Sequence, residues 1–290
     1  MSVAVLPFNA GPETRPTLAR QFANFAAEVV RARTQAEVHS VNYLMQVSEE
    51  QPAKYANVNP SEGLNEIDMI KQLFEQTQAA AAMDGLLVEK DGKYHLTYRI
   101  FANGTEAPVA EETFEFDNTG AFRPMRTMIE ELCARAEVVL PAEAQTDDQL
   151  FGTANSEAFV KFIEGYDALQ YIEKTQGQVI NEFNPKFAYD ALLEAIQLDS
   201  EWEAPYATLL NLCRACTQLR LGRSEDIEEA LTKAKSLTPD DIRAMVVLGE
   251  FYQAVNNSAK SLEVLQEALK IEDNEPAIYT RIGIAQSALG

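Results

Sequence analysis

The chain has 290 residues, with 24 basic against 45 acidic side chains and a formal net charge of −21. Its length exceeds the usual size of one hydrophobic core, so two domains of roughly 100–200 residues each are expected. So negative a chain would repel phosphate backbones and anionic lipids, because binding to them depends on basic side chains. Nucleic acid and membranes are therefore excluded as expected partners.

The sequence indicates neither a signal peptide nor a disulfide framework. The amino-terminal segment MSVAVLPFNAGPE has no basic residues before its apolar run, which ends at Pro7, too early for a signal peptide. No segment reaches the roughly 18 consecutive apolar residues that a membrane helix needs. The three cysteines, Cys133, Cys213 and Cys216, lack the spacing of a disulfide scaffold, which suits a reducing compartment. We therefore expect a cytoplasmic protein.

Strand and helix patterns alternate over the first part of the chain. The apolar run VAVLPF, residues 3–8, predicts a strand buried on both faces. A helix is expected to begin near Thr14 to Pro16, the segment EVHSVNYLMQV predicts a second strand, and a second helix follows the polar loop PSEG. The apolar positions that predict the two helices are Leu18, Phe22, Phe25 and Val29, and then Leu64, Ile67, Ile70 and Phe74.

Three further strands and a helix are predicted between residues 84 and 132. Asp91-Gly92 and Asn103-Gly104 separate alternating segments, and both dipeptides tolerate positive φ, so a tight hairpin at the first and a turn at the second are expected. The apolar side chains that define these elements are Tyr94, Leu96, Tyr98, Ile100, Phe114 and Phe116 on one sheet face, and Met125, Met128, Ile129 and Leu132 on the helix. The predicted order is β-α-β-α-β-β-β-α, a mixed sheet with helices.

A family resemblance rests on two of these segments. The opening VAVLPF with NAGPE behind it, joined to the later hairpin segment DGLLVEKDGKYHLTYRIF, resembles the TolB amino-terminal-domain-like family of bacterial α/β domains. The resemblance implies an α/β domain over residues 1–140, and a linker is expected at 141–155.

The second half of the chain repeats a helical pattern. The segment MVVLGEFY places Leu248, Gly249 and Tyr252 at the Leu, Gly and Tyr positions of the motif W-x-x-L-G-x-x-Y. This motif belongs to the first helix of a tetratricopeptide repeat. The segment YTRIGIAQ restarts the pattern at Gly283, about 34 residues later, which is the period of that repeat. Residues 156–290 therefore resemble about three and a half tetratricopeptide repeats, which implies an all-α superhelix.

Small side chains are expected to hold the repeats together. Gly249 and Gly283 in the first helices, and Ala268 in a second helix, are expected to let neighbouring helices approach closely. The last predicted helix, in IGIAQSALG, would leave an apolar face uncovered, since each repeat is stabilised by its neighbour. We interpret it as a cap, as a docking surface, or as the start of further repeats in a longer native chain.

Candidate chemical sites have structural interpretations that fit better. The segment Cys213–Cys216 has the CxxC spacing found in some metal and redox sites. No second CxxC pair accompanies it, and Cys213 falls on a packed position of a repeat helix. His39 and His95, the two histidines, fall in predicted strands without the partners of a triad or zinc site. No catalytic residue, metal ligand or cofactor site is predicted, and the chain is expected not to be an enzyme.

Two further segments could be mistaken for ion sites. The loop FNAGPETRP could hold an anion on amides at a helix start, although it matches neither a dinucleotide-binding fingerprint nor a P-loop. The acidic clusters SEDIEE and EDNE lack the ligand spacing of an EF-hand. We interpret them as helix starts, where carboxylates are favoured.

The repeat resemblance implies a partner-binding face. In tetratricopeptide families the partner usually lies against the first helices of the pairs. Asn211 would suit a carboxylate clamp, but Ala207 stands where such a clamp has a lysine. The outward positions that we assign to this concave face are Asn211, Arg214, Arg243, Glu250 and Gln253.

Two functional hypotheses follow. The leading one is a non-enzymatic scaffold, a signalling adaptor whose repeat groove binds a protein or peptide partner and whose α/β domain supplies a second docking surface. The charge of −21 favours a basic partner. The alternative is a signalling sensor whose α/β domain binds a nucleotide or another small anion at NAGPE, and homo-oligomers are left open.

Overall fold

The chain divides into two compact units. The computed structural model describes residues 1–40, 43–48, 51–57, 63–141, 146–175 and 185–290, with the backbone alone for 43–48 and 51–57. These residues form the units Met1–Glu164 and Gly165–Gly290. Across the described ranges, none of the helices is both long enough and apolar enough to cross a membrane. The prediction of an α/β amino-terminal region followed by a helical region is confirmed.

A mixed sheet forms the core of the amino-terminal unit. The strands are β1 (Ser2–Val5), β2 (Asn9–Ala10), β3 (Glu37–Ser40), β4 (Tyr43–Ser48), β5 (Gln51–Asn57), β6 (Ala81–Lys90), β7 (Lys93–Ala102) and β8 (Ala110–Phe116). The sheet order is β3-β1-β6-β7-β8, with β2 extending alongside β6. Strands β1, β3 and β6 are parallel, whereas β6, β7 and β8 form an antiparallel meander.

The predicted strand EVHSVNYLMQV differs from the structure. Its first residues form β3 on the edge of the mixed sheet, and its last residues lie in β4, which pairs with β5 in a separate antiparallel hairpin. Residues 41 and 42, where the two strands would join, lie outside the described residues, as does most of the predicted loop PSEG. The β4–β5 hairpin has no counterpart in the predicted order.

Helices cover both faces of the sheet. The helices of this unit are α1 (Pro16–Arg33), α2 (Ile67–Thr77), α3 (Phe122–Arg135) and α4 (Asp147–Phe151), with a 3-10 turn at Asn118–Gly120. On one face, α2 packs Ile70 and Phe74 against Ala4, Ala82 and Phe101. Helices α1 and α3 contact the opposite face. The two apolar layers explain why residues 3–5 of β1 and 81–85 of β6 are all buried.

The antiparallel strands match the predicted pattern closely. Leu96, Tyr98 and Ile100 alternate with more exposed residues and are fully buried, as expected for a strand with one covered face. Leu96 pairs directly with Phe114 on β8. At the hairpin, Asp91 and Gly92 both have positive φ, 53° and 74°, the geometry that their sequence predicts.

The predicted linker at 141–155 contains α4, and residues 142–145 of it lie outside the described residues. Phe151 at the end of α4 is buried and stacks on Phe122, with ring centroids 4.7 Å apart. Phe159 lies 5.3 Å from both rings. Because this aromatic cluster forms part of the amino-terminal core, the first compact unit extends to Glu164 rather than ending near residue 140.

The carboxyl-terminal unit is a series of antiparallel helices. They are α5 (Ser156–Thr175), of which the part from Gly165 belongs to this unit, α6 (Pro185–Leu198), α7 (Glu203–Leu219), α8 (Ser224–Leu237), α9 (Ile242–Ala254), α10 (Ser258–Ile271) and α11 (Pro276–Leu289). From α6 onward each helix contacts the next, and α7, α9 and α11 also lie side by side. Most of the predicted loop KTQGQVINEFNP, residues 176–184, lies outside the described residues.

Glycines allow close helix contacts at two places in this unit. A Cβ at Gly249 would lie 2.8 Å from Leu265 of α10, and a Cβ at Gly165 would lie 2.9 Å from the carbonyl oxygen of Ala188 on α6. The Ser261 hydroxyl donates a hydrogen bond to the Gly249 carbonyl oxygen at 2.9 Å. The other predicted packing residues Leu248, Tyr252 and Ala268 are buried.

Gly283 differs from its predicted role. It is exposed, and a Cβ added there would meet no atom within 4 Å. The reason is that α11 has no helix against this side among the described residues, whereas α9 is covered by α10. Gly283 thus matches the sequence pattern of Gly249, but no neighbouring helix among the described residues packs closely against it.

Glu228 on α8 joins neighbouring helix pairs through an acid-sensitive contact. Its Oε1 accepts hydrogen bonds from the Lys260 ammonium at 2.7 Å and from the Tyr252 hydroxyl at 2.8 Å. The bond from Lys260 is the main reason that the pKa of Glu228 lies below its ordinary value of 4.5. A lowered carboxyl pKa adds stability above the unfolded-state value, and this stability is lost as the pH falls through the folded-state value.

We therefore expect Glu228→Gln to weaken the acid dependence of stability of the carboxyl-terminal unit. Urea unfolding followed by the fluorescence of Trp202, the single tryptophan, would be measured from neutral pH to below 4.5. The wild type should lose more stability over this range than the variant. Exposed Glu201→Gln is the matched control and should keep the wild-type slope. Equal slopes in all three proteins would contradict the assignment.

Candidate functional site

Three parallel helices of the carboxyl-terminal unit share one ion-pair cluster. Arg214 on α7 donates from Nε to Oε2 of Glu250 on α9 at 2.9 Å. Arg281 on α11 pairs through Nη2 with the other carboxylate oxygen of Glu250. The Gln253 side chain donates to the carbonyl oxygen of Arg281 at 2.9 Å. We call these four residues the α7–α9–α11 cluster.

The cluster exists because alternate helices of the unit lie side by side. Helix α9 lies between α7 and α11. The Glu250 carboxylate on α9 is therefore contacted by an arginine from each side. A guanidinium group has five N–H donors in a fixed fork and pairs readily with a carboxylate. Glu250 therefore holds one arginine on each neighbouring helix.

Charge and exposure make this cluster a candidate binding surface. The side chain of Glu250 is only 17% exposed, whereas those of Arg214 and Arg281 are 39% and 32% exposed. Two cations share one carboxylate, so the cluster carries a local excess of positive charge in a chain of net charge −21. Each guanidinium group has five N–H donors, more than its contact with Glu250 uses.

The structure brings together three of the five predicted groove residues. Arg214, Glu250 and Gln253 belong to the α7–α9–α11 cluster, and Asn211 is exposed on α7, one turn before Arg214. Arg281 was not predicted, because the residue 34 positions earlier is the apolar Val247. The repeat pattern therefore carries no signal for a charge at that position.

Arg243 lies elsewhere, at the start of α9. It forms two-point contacts with Asp241, including 2.6 Å from Nη2 to Oδ2, and its guanidinium lies 4.9 Å from the ring centroid of Tyr206. The hydrogen bonds that Arg243 donates to the Asp241 carboxylate raise the pKa of Arg243 above its ordinary value. Arg243 lines a 660 Å³ cleft between the α8–α9 and α10–α11 turns. Its contacts are those of a residue that fixes the start of a helix.

A second polar cluster lies in the amino-terminal unit and was not predicted. Asp84 on β6 is fully buried and accepts two hydrogen bonds from Arg99 on β7, at 3.0 and 2.6 Å. Arg99 also donates to the carbonyl oxygen of Asn65 at 2.7 Å, and the Asn65 amide donates to Asp84 at 3.3 Å. The sequence signal was a single acidic residue within the apolar run AAAAMDGLLV.

This cluster lies beyond the carboxyl end of β1, where open α/β sheets commonly bind ligands. Its hydrogen-bonding groups nevertheless satisfy one another: Asn9 after β1 is buried and donates to the Gly63 carbonyl oxygen and, at 3.4 Å, to Asn65. The arrangement ties the segment before α2 to the sheet. Its chemistry is that of a structural ion pair.

Side chains of the loop FNAGPETRP also form hydrogen bonds and ion pairs with other parts of the amino-terminal unit. Besides Asn9, Thr14 is buried, and its hydroxyl accepts a hydrogen bond from the Glu89 amide at 2.7 Å. Arg15 precedes α1 and pairs with Glu164 at 2.5 Å. The side chains that could have contacted an anion at NAGPE are thus engaged with the protein, which leaves main-chain amides at the start of α1.

The cysteines and histidines lie where the strand and helix patterns place them. Cys213 and Cys216 are fully buried on α7, and burial raises the pKa of both thiols, that of Cys216 to about 11. Raised pKa values leave little thiolate for metal binding or redox chemistry. His39 lies in β3 and His95 in β7. Within the part of the chain that is described, no group of three or more His, Cys, Asp or Glu residues could hold a metal ion.

No model of a known protein family matches this chain, and no curated protein matches it either.

Proposed function

We propose that this protein is a non-enzymatic scaffold, in which a TolB amino-terminal-domain-like unit is followed by tetratricopeptide-like repeats. The face formed by α7, α9 and α11 binds a protein or peptide partner, and the α/β unit provides a second docking surface. In this proposal the helix pairs continue as a superhelix with that face on its concave side. A cytoplasmic adaptor in bacterial signalling is the setting that the resemblance suggests.

The observation that carries the proposal is the α7–α9–α11 cluster. It places partly exposed guanidinium groups across three helices in a surface built from repeated hairpins. Interfaces are enriched in arginine, and a few such residues supply most of the binding energy. The close Gly249–Leu265 contact supports the repeat assignment, because it puts a glycine where the first and second helices of a pair cross.

The charge of the whole chain complements this local feature. The net charge of −21 of the chain as a whole attracts basic flanking residues of a partner. Such long-range attraction increases the association rate more than the final affinity. A partner with basic flanks and hydrogen-bond acceptors at its centre fits both properties, and its association rate should fall as salt is added.

The proposal predicts that partner capture depends on Arg214. Proteins captured from a bacterial lysate by the wild type would be quantified against those captured by Arg214→Ala and by Arg223→Ala. Arg223 is the matched control, since it lies on the other layer at the start of α8 and is 74% exposed. We expect specific partners to lose about tenfold in affinity with Arg214→Ala, as for a binding hot spot, and to be retained by the control. Identical captured sets for all three proteins would contradict the proposed groove.

A further inference from the structure

The outer side of strand β8 is an open sheet edge. Strand β8 ends the sheet order and, within the described part of the chain, pairs only with β7. The turn before it and the 3-10 turn after it are both described, so the exposure of this edge does not depend on where the sequence ends. We call the outer side of residues 110–116 the β8 edge. Its exposed residues are Glu111, Glu112, Thr113 and Glu115.

The strand register determines which backbone groups of β8 point outward. Lys90 and Lys93 close the tight β6–β7 hairpin and are therefore a hydrogen-bonded pair. Because bonded and non-bonded pairs alternate, odd-numbered residues of β7 bond to β6 and even-numbered residues bond to β8. The pairing of β7 with β8 then directs the N–H and C=O groups of Glu111, Thr113 and Glu115 away from β7. No other described segment forms backbone hydrogen bonds with these three residues.

These three residues can accept one further strand. An extended peptide that pairs antiparallel with a sheet edge exchanges two backbone hydrogen bonds at each bonded pair. The side chains of Glu111, Thr113 and Glu115 share one face of the sheet. Glu112 shares the other face with Phe114, which is 8% exposed. An added strand would therefore meet glutamates on both faces and an apolar side chain on one of them.

Charge disfavours a second copy and favours a basic strand at this edge. In a symmetric antiparallel pair of β8 strands centred on Thr113, Glu111 of each copy would lie opposite Glu115 of the other. Like charges directly opposite each other are destabilising, and charged edge strands resist self-association. Lysine or arginine at the same positions would form ion pairs instead. Lys93 already pairs with Glu115, but both side chains are more than half exposed, and a solvated pair of this kind contributes little.

The Tyr98 hydroxyl indicates the same kind of partner. It lies 2.9 Å from Oε2 of Glu131 on α3 and 3.3 Å from Oε2 of Glu112 on β8. A hydroxyl donates one hydrogen, so it satisfies one of these carboxylates at a time. Arg123 on α3 lies over the Phe114 ring, 5.7 Å from its centroid. Because Glu112 is exposed, a basic side chain of an added strand would reach it and reduce the repulsion between the two carboxylates.

We propose that the β8 edge binds an extended, lysine- or arginine-rich segment of a partner protein as an added antiparallel strand. The backbone of this segment pairs with Glu111, Thr113 and Glu115, and its basic side chains lie opposite the three glutamates of β8. The inference rests on the proposed function, because it identifies the second docking surface of the α/β unit. It also gives the basic residues that a net charge of −21 attracts a defined position in the fold.

The test uses the full chain and a fluorescein-labelled peptide that reads valine, lysine, valine, threonine, lysine, lysine and serine. When it pairs antiparallel with residues 110–116, its lysines lie opposite Glu115, Glu112 and Glu111. Fluorescence anisotropy at low salt should show saturable binding, and hydrogen–deuterium exchange in residues 110–116 should slow when the peptide is bound. The variant Glu111→Lys/Glu115→Lys should bind about tenfold more weakly or worse, because like charges then lie opposite each other.

Two matched controls separate strand pairing from general attraction between charges. Glu201→Lys/Glu225→Lys makes the same change of net charge at exposed positions of the other unit, and it should bind the peptide as the wild type does. N-methylation of the peptide at threonine and the last lysine removes N–H groups that face β8 and should abolish saturable binding. N-methylation at the second valine and the second lysine removes N–H groups that face away, and binding should be retained.

The proposal is overturned by an absence of saturable binding or by equal binding to Glu111→Lys/Glu115→Lys. Equal binding of the two methylated peptides would also overturn it, because charge alone would then explain the attraction. A dimer of the free chain with slowed exchange in residues 110–116 would assign the β8 edge to a second copy instead. Arg214→Ala should bind the peptide as the wild type does, because Arg214 lies in the other unit. This proposal and capture through Arg214 can therefore fail independently.

Discussion

Replacing Arg99 with alanine is expected to destabilise the amino-terminal unit by about 3–5 kcal/mol, because the substitution leaves a charge buried without its partner. Asp84 has no exposed surface, and Arg99 supplies its two shortest hydrogen bonds. Of the Asp84 side-chain hydrogen bonds within the described residues, the one from the Asn65 amide would remain, at 3.3 Å. Urea unfolding monitored by far-ultraviolet circular dichroism would measure the loss as an earlier transition of this unit.

Two comparisons isolate the cause of that loss. Lys71 and Glu106 form an ion pair in the same unit at 3.1 Å, but both side chains are well exposed. Lys71→Ala should leave the transition where it is, because solvated pairs contribute little. The double variant Asp84→Leu/Arg99→Met should recover most of the lost stability, since both buried charges are removed together. An Arg99→Ala protein as stable as the wild type would contradict a stabilising role for the Arg99–Asp84 ion pair.

Replacing Gly249 with leucine is expected to destabilise the carboxyl-terminal unit by about 1–3 kcal/mol through overpacking. A Cβ at this position would already lie 2.8 Å from Leu265, before the rest of the side chain is added. Helix α10 would have to move away from α9, and the hydrogen bond from Ser261 would lengthen. Trp202, the single tryptophan, lies in this unit, so its fluorescence during urea unfolding reports the change.

Gly283→Leu is the matched control for this substitution. The two glycines occupy the same position of the repeat pattern, but nothing lies within 4 Å of a Cβ at Gly283. The control should therefore keep the wild-type stability or gain up to about 0.8 kcal/mol, because leucine is a better helix former than glycine. Equal losses at both positions would mean that close packing at Gly249 is not the cause.

The elements that the sequence predicted best are those specified by local patterns. Alternation of Leu96, Tyr98 and Ile100, together with positive φ at Asp91-Gly92, was sufficient to predict the β6–β7 hairpin and its buried face. The 34-residue spacing from Gly249 to Gly283 likewise predicted consecutive helices in the carboxyl-terminal half. In each case the residues that carry the information are neighbours in the sequence or related by a fixed period.

The elements that were missed depend on contacts distant in the sequence. The short helix α4 is anchored by the stacking of Phe151 on Phe122, and no periodic pattern can develop over so few residues. The β4–β5 hairpin pairs strands that contain Pro52 and no turn glycine. Local propensity favours neither element strongly.

The candidate sites show the same division. Arg214 and Glu250 could be assigned to one face because both lie on helices of the repeat pattern. Arg281 completes the cluster from a position where the preceding repeat has Val247, so periodicity pointed to an apolar residue. Asp84 and Arg99 are adjacent only through the strand pairing of β6 with β7. Side-chain partners of this kind become evident only when the register is known.

The positions of the three thiols have a practical consequence. Cys133 is buried in the amino-terminal unit and Cys213 and Cys216 in the other, and all three are free. Alkylation of such sulfurs requires the surrounding structure to open first. The unaltered chain thus contains intrinsic chemical reporters in both units, one thiol in the first and two in the second, and peptide mapping after labelling distinguishes the opening of one unit from that of the other.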